Sequence, residues 1–340
     1  MKPGNDMFHK VYVLLLFLIF MLSFFCIFFD LEICKADGNT IYVDIDGAAD
    51  YISIQDAIDA ANDGDTIQVY NGTYYENIFI NKSLKLIGKD NPVINGHEEM
   101  YTVLMQCSYT NITGFIIQNG KTGIYIGGSK NITHNNIMNN SIMNNIDGIY
   151  LQDSSYNNQI FGNIFEKNAE GIHLYNSTSN KIVSNTLNNH SSYAISLWET
   201  SNNNNISKNN INYTDGITIK RWSNDNIISC NSIKNGGIKL DYSHNNYVNN
   251  NFITECEKSI ILSHSHGNNI TENIIHKNDV GMYLVNSDEN IISPNSFTNN
   301  NQDIKEKPEL PDVKIPVFEI FLIITLAAVT IITIMFWKKK

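Results

Sequence analysis

Three acidic residues share one repeated place in this sequence. Asp147, Glu170 and Asp215 each stand directly before a Gly-Ile or equivalent phrase, and Lys220-Arg221 follow the last of them. Carboxyl pairs beside a base are what polysaccharide hydrolases and lyases use, so these three are the candidate catalytic residues. Asp147 and Glu170 are expected to stack on neighbouring coils. Acids next to a corner glycine also serve simply as solvated turn residues, and that reading stays open. A second set is aromatic and polar: Tyr150, His173, Tyr175, Trp198, Lys220 and Asp241 fall at alternate positions of the same phrases. Rings beside hydrogen-bonding groups suit sugars, whose C–H faces stack while their hydroxyls find polar partners, so these are the candidate carbohydrate-binding residues. Exposed Tyr and Trp also stack on one another as plain cross-strand pairs. A third set is metal-ligating in type. His244 and His266 each precede a repeat Asn by two residues, His264 is close by, and Asp288 holds the same place one coil on. Imidazole and carboxylate in such a stack suit Cu or Zn.

The element that must position these residues is a repeat. A Gly-Ile-x-Φ phrase (Φ apolar), or its near equivalent, starts at Gly123, Gly148, Gly171, Ala194, Gly216, Gly237, Ser259 and Gly281, in steps of 25, 23, 23, 22, 21, 22 and 22. A second phrase, Asn-x-Φ-x-x-Asn-x-Φ, recurs with its second Asn at 163, 185, 209, 231, 251, 273 and 295. Each period carries three short alternating segments, too short for helices and patterned as strands with one buried face. The expectation is an all-β, right-handed parallel β-helix, three strands per coil of about 22 residues, with coils about 4.8 Å apart. Ile149, Leu151, Ile172, Leu174, Ile195 and Leu197 point inward and stack like on like. The repeated Asn reads as a corner ladder, tolerant of left-handed geometry and bonded to its copy in the next coil.

An open coil end needs a cover. Ser53 is placed to N-cap a short helix burying Ile54, Ala57, Ile58 and Ala61, with Asp56 at the capping-box position. Strands are expected at Thr66–Val69, Ile78–Ile80, 84–87 and 93–94. Residues 37–100 form this cap and the first coils, 101–302 the repeats, and 303–316 a linker. Residues 1–36 read as a signal peptide or signal anchor, with Cys34-Lys35-Ala36 a weak cleavage site. Residues 317–337 read as a transmembrane helix, and 320–337 is an uncharged apolar run ahead of the lysines 338–340. Positive-inside logic keeps those lysines cytoplasmic and the β-helix outside. The net charge of −11 excludes nucleic acid as a partner, since phosphate binding needs a basic footprint. Of five cysteines, Cys107, Cys230 and Cys256 lie outside the leader, an odd set that forms no disulfide framework. Nine Asn-x-Ser/Thr sequons begin at Asn71, Asn81, Asn111, Asn131, Asn176, Asn189, Asn205, Asn212 and Asn269, as suits a glycosylated surface protein.

Residues 51–96 resemble the opening of pectin-lyase-like β-helix proteins. The resemblance is strongest to the NosD-like group, also described as carbohydrate-binding and sugar-hydrolysis domains. It is carried by Ser53-Ile54-Gln55-x-Ala57-Ile58, Gly64-Asp65-Thr66-Ile67, Gly72-Thr73-Tyr74, Ile80-x-Lys82 and Leu86-Ile87-Gly88, and with the coils it covers about residues 40–300. It implies the fold. For activity it is less specific, because that superfamily holds lyases, hydrolases, epimerases and non-catalytic surface proteins. Thr214-Asp215-Gly216 with Lys220-Arg221 is similar to parts of a polygalacturonase site, but the Asp-Asp pair and the glycine-flanked His of that family are missing. NosD's link to copper handling is what gives the His set its interest. Together these readings point to a single-pass membrane protein whose extracellular β-helix is structural or binds cell-envelope polysaccharide, with no cofactor. A polysaccharide lyase or hydrolase and a copper-binding protein are the alternatives.

Overall fold

The computed structural model describes residues 38–128 and 131–307, and the chain divides into two compact units, Met1–Asn168 and Ala169–Lys340. The expected leader (1–36), membrane helix (317–337) and lysine tail lie outside the described residues. Among those described, no helix is long and apolar enough to cross a membrane.

Each unit is a parallel β-solenoid built from three stacks of short strands. In the first unit the strands Thr40–Val43, Thr66–Val69, Lys85–Gly88, Asn111–Thr113, Asn136–Met138 and Gln159–Phe161 make one sheet. Ile78–Ile80, Tyr101–Met105, Thr122–Ile126 and Asp147–Leu151 make the second, hereafter the Gly-Ile sheet. In the second unit the Gly-Ile sheet runs through Glu170–Tyr175, Ile195–Trp198, Gly216–Lys220, Gly237–Asp241, Lys258–Ser263, Val280–Val285 and Gln302–Lys307. Alternation decides which side chains are buried. Ile195 pairs with Ile217 and Leu197 with Ile219, then Ile238 with Ile260 and Leu240 with Leu262, and all eight are fully buried. In the second unit the other two sheets contribute one inward apolar residue per strand, such as Ile206 and Ile228 or Ile211 and Ile233.

Asparagine ladders brace the corners. Asn185 N–H donates to Asn209 Oδ1 at 2.9 Å, Asn209 N–H to Asn231 at 3.0 Å, Asn231 N–H to Asn251 at 3.0 Å and Asn251 N–H to Asn273 at 3.0 Å. Each amide also donates back to a main-chain carbonyl one coil earlier, as Asn209 does to Ile182 and Asn231 to Ile206. A second ladder runs through Asn180, Asn204, Asn226, Asn246 and Asn268. The expected reason for Asn needs correcting. The left-handed residue is the one before each ladder Asn: Ser184, Lys208, Cys230, Asn250 and Glu272 all have φ between 54° and 59°. The Asn is selected instead for its amide, which satisfies buried main-chain groups that nothing else reaches.

The cap helix spans Ile54–Ala60, with Ser53 Oγ accepting from Asp56 N–H at 3.2 Å. The capping carboxylate comes from Glu76, whose oxygens accept from the N–H groups of Ile54 and Gln55, in the role expected of Asp56. Lys82 Nζ donates to the carbonyls of Ile58, Asp59 and Ala61. Both ends of the helix dipole thus meet opposite charge. At the other end, the stretch expected to open a linker at 303 instead continues a strand, Gln302–Lys307, in register with Val280–Val285. Ile304 pairs with Met282, so one apolar residue in a charged run suffices to hold the last rung.

Candidate functional site

The outward rows of the Gly-Ile sheet carry most of the chemistry. In the second unit one row holds His173, Ser196, Thr218, Lys239 and Ile261, and the next holds Tyr175, Trp198, Lys220 and Asp241. Ser196 and Thr218 face outward yet are fully buried. Lys220 explains this, since its Nζ runs back along the strand to the Tyr193 hydroxyl at 3.2 Å, over the ground that Ser196 and Thr218 occupy. The ammonium lies 4.6 Å from the Tyr193 ring centroid and 4.9 Å from that of Trp198. Arg221 adds a guanidinium 5.3 Å from the Trp198 ring and bonds Glu199 at 2.6 Å. His173 tilts against the same indole, with centroids 5.8 Å apart. Trp198 is therefore engaged by cations of its own chain and is not the open stacking platform that the alternation suggested.

Glu170 accepts from Ser196 Oγ at 2.5 Å and lies 3.8 Å from His173 Nδ1. Asp215 stands at the exposed corner before Gly216. Register puts Tyr193 in the coil between them, so their backbones lie two rungs, about 10 Å, apart. Asp147, half-buried, belongs to the first unit. There the same face is a tyrosine stack, Tyr101 on Tyr125 at 4.4 Å and Tyr125 against Tyr150 at 5.6 Å. Tyr125 donates to Gln152 Oε1 at 3.1 Å, and burial above all pushes its phenol up to about 12. Tyr150 thus sits in an ordinary cross-strand aromatic row.

A groove opens where the third corner ladder is interrupted. That ladder joins Gly120, Asn145 and Asn168 in the first unit, and Cys256, Asn278 and Asn300 in the second. Between Ala169 and Cys256 its positions hold His190, Thr214 and Gly236. His190 stands four residues before Ala194, Thr214 two before Gly216, and Gly236 directly before Gly237. The chain is drawn in, leaving a groove of about 360 Å³ lined by Tyr193, Asp215, Lys239, Glu257 and Lys258. Cys256 takes an Asn place in the ladder, with its thiol directed at the Gly236 carbonyl, and burial first of all pushes it up to about 11. The single step of 21 residues, from Gly216 to Gly237, is the sequence trace of this groove, but a step length does not say which of three corners lost the residue.

The histidines form a stack, not a ligand set. His244 and His266 lie 5.5 Å apart, nearly parallel. His266 N–H donates to His244 Nδ1 at 3.1 Å and Asp288 N–H to His266 Nδ1 at 3.0 Å. Burial, then His266, holds His244 below the usual imidazole value, so the neutral form is favoured. With Nδ1 accepting, the ring proton sits on Nε2 and neither nitrogen offers a lone pair. His264 stacks on Tyr242 at 4.5 Å and contacts Asn286 through Nε2 and Ser263 through Nδ1. Among the described residues these four do not form a close group of metal-ligating atoms.

With this geometry in hand, the family model described as periplasmic copper-binding protein (NosD) matches residues 34–233 and 207–307. The chain belongs to the NosD family. Copper, named in that description, does not fit the His244, His264, His266 and Asp288 set, whose imidazole lone pairs are committed to N–H donors. A cell surface glycoprotein of Methanothermus fervidus is 41% identical over 86 residues, 24% of this NosD-family chain and 14% of the relative. Among solved structures, an alginate lyase from a Paenibacillus species covers 78% of this chain and 99% of its own at 14% identity, with a TM-score of 0.53. The A-module of a mannuronan C-5 epimerase from Azotobacter vinelandii covers 76% and 95% at 14% identity, TM-score 0.57. An endo-xylogalacturonan hydrolase from Aspergillus tubingensis covers 79% and 95% at 11% identity, TM-score 0.54. At these identities the likeness is one of fold.

Proposed function

We propose that this is a membrane-tethered cell-envelope protein that binds an extracellular polysaccharide without cleaving it. The observation that carries the reading is the groove at the shortened corners. There Lys239 and Lys258 meet Asp215, Glu257 and Tyr193 in a concavity beside the cation-rich Tyr193–Lys220–Trp198–Arg221 cluster. Ammonium groups and carboxylates around a wet cleft suit a hydroxyl-bearing chain that also carries acidic groups, in a protein of otherwise acidic balance. The surface location draws on the glycoprotein relative, the NosD family description and the apolar runs at both ends of the chain.

A second reading, cleavage, is favoured by Asp215 sharing that groove with Lys239 and Tyr193. One experiment separates the two. The full chain is run through gels containing acidic or neutral polysaccharides, and the same polymers are assayed for new reducing or unsaturated ends. Retention by an acidic polymer that weakens severalfold in Lys239→Ala, with no new ends, is expected. New ends that disappear in Asp215→Asn overturn the non-catalytic reading, and retention unchanged in Lys239→Ala overturns the groove.

A further inference from the structure

One corner of the second unit is longer than its neighbours. Six residues, 189–194, separate the strand Thr186–Asn188 from Ile195–Trp198, whereas the same corner takes three residues at 213–215, two at 235–236 and three at 255–257. The strands on either side stay in register with the next coil, Leu187 with Ile211 and Ile195 with Ile217, so the surplus residues stand out as a loop. Within it His190 is buried in the ladder place and Tyr193 lines the groove, while Asn189 and Ser191 are exposed.

Asn189-His190-Ser191 is an Asn-x-Ser sequon, and the loop presents it unlike any other in this unit. Among the described residues neither the Asn189 amide nor the Ser191 hydroxyl meets a hydrogen-bond partner. The other sequons are engaged. Asn205 and Asn269 sit in strands with their Oδ1 atoms buried. Asn212 Oδ1 accepts from Asn235 Nδ2 at 3.3 Å, and Thr214 of that sequon is buried, with Oγ1 accepting from Gly216 N–H at 2.8 Å. Asn176 Oδ1 accepts from Thr200 Oγ1 at 3.1 Å. A transferase closes around the main chain of its acceptor and reads the amide together with the hydroxyl two residues on. A strand hydrogen-bonded on both sides denies that access, and a protruding loop grants it.

We propose that Asn189 is the acceptor of an N-linked glycan in the folded chain. The assignment rests on the outer-side location proposed above, where lipid-linked oligosaccharides are presented. In the transfer, Asn189 Nδ2 attacks the anomeric carbon of such a donor. The N–C bond forms as the C–O bond to the lipid phosphate breaks, the electron pair leaves with the phosphate oxygen, and one amide proton passes to the transferase. Asn189 stands four residues before Tyr193, so the glycan is rooted in the loop that supplies the groove with its tyrosine.

The test supplies the purified full chain in detergent, either folded or as its proteolytic peptides, with a lipid-linked oligosaccharide and a single-subunit oligosaccharyltransferase that reads Asn-x-Ser/Thr. Products are mapped by peptide mass. In the folded chain, transfer to Asn189 should run about tenfold or more faster than to Asn205, Asn212 or Asn269, which wait on local opening, and in the peptides that difference should vanish. Ser191→Ala should abolish transfer to Asn189 and Ser191→Thr should keep it, both with unchanged thermal unfolding. Cellular location plays no part in this reaction, so failure here counts against the loop and not against the outer-side reading. Asn189 left bare in the folded chain while its peptide is modified overturns the proposal, as does equal transfer to Asn189 and Asn212 in the folded chain.

Discussion

Two cysteines of the second unit show how one residue type takes opposite behaviour from its place in a coil. Cys230 occupies the left-handed position before a ladder Asn, with its side chain outside, whereas Cys256 occupies a ladder position itself. At about 11, the Cys256 thiol exposes about one thiolate in a thousand at pH 8, and the thiolate is the nucleophile. Iodoacetamide at pH 8 should therefore label Cys230 in minutes and Cys256 only after denaturation, as peptide masses will show. Equal labelling of both in the native protein would contradict the buried assignment. Nothing in the sequence separates these residues except their offset from the repeat, and that offset was readable. The engagement of Trp198 was not, because it depends on where Lys220 and Arg221 swing, and long side chains at outward positions choose their partners across strands.

The strands and their corners were the most legible elements. Alternation and the seven-fold Asn phrase placed Thr66–Val69 and Ile78–Ile80 at their observed bounds and the ladder at its observed positions, because both patterns are local. The capping carboxylate was misplaced on Asp56 since Glu76 reaches the helix from another strand's turn, a contact with no local trace. The ladder invites a direct measurement. Asn231 Oδ1 accepts from both the main-chain and side-chain nitrogens of Asn209, and its own amide donates to Ile206 O. Asn231→Leu leaves buried main-chain groups without partners and should cost about 2–4 kcal/mol in denaturant unfolding, each orphaned group contributing about 1–3. Asn210→Leu, one residue from the ladder and exposed, should stay within about 0.5 kcal/mol. Equal effects of the two would deny the ladder its role.

For the molecule as a whole, family membership and fold are firm, and attachment is the proposal with the plainest test. The proposed anchor rests on the apolar run at 320–337 and the lysines after it, a sequence pattern that suits a stop-transfer segment. Full-length protein should stay in the membrane pellet after alkaline carbonate extraction, while a chain ending at Lys307 should be released; a soluble full-length chain would remove the anchor from the proposal.

The corner that shortens from His190 to Gly236 has a consequence for descent. Strand pairing stays in step across it while the number of residues between ladder and Gly-Ile strand falls. Gene changes that add or drop single codons there leave the rungs aligned and alter only the contour of the cleft. A lineage of such chains is thus free to try new cleft shapes one codon at a time without rebuilding its frame.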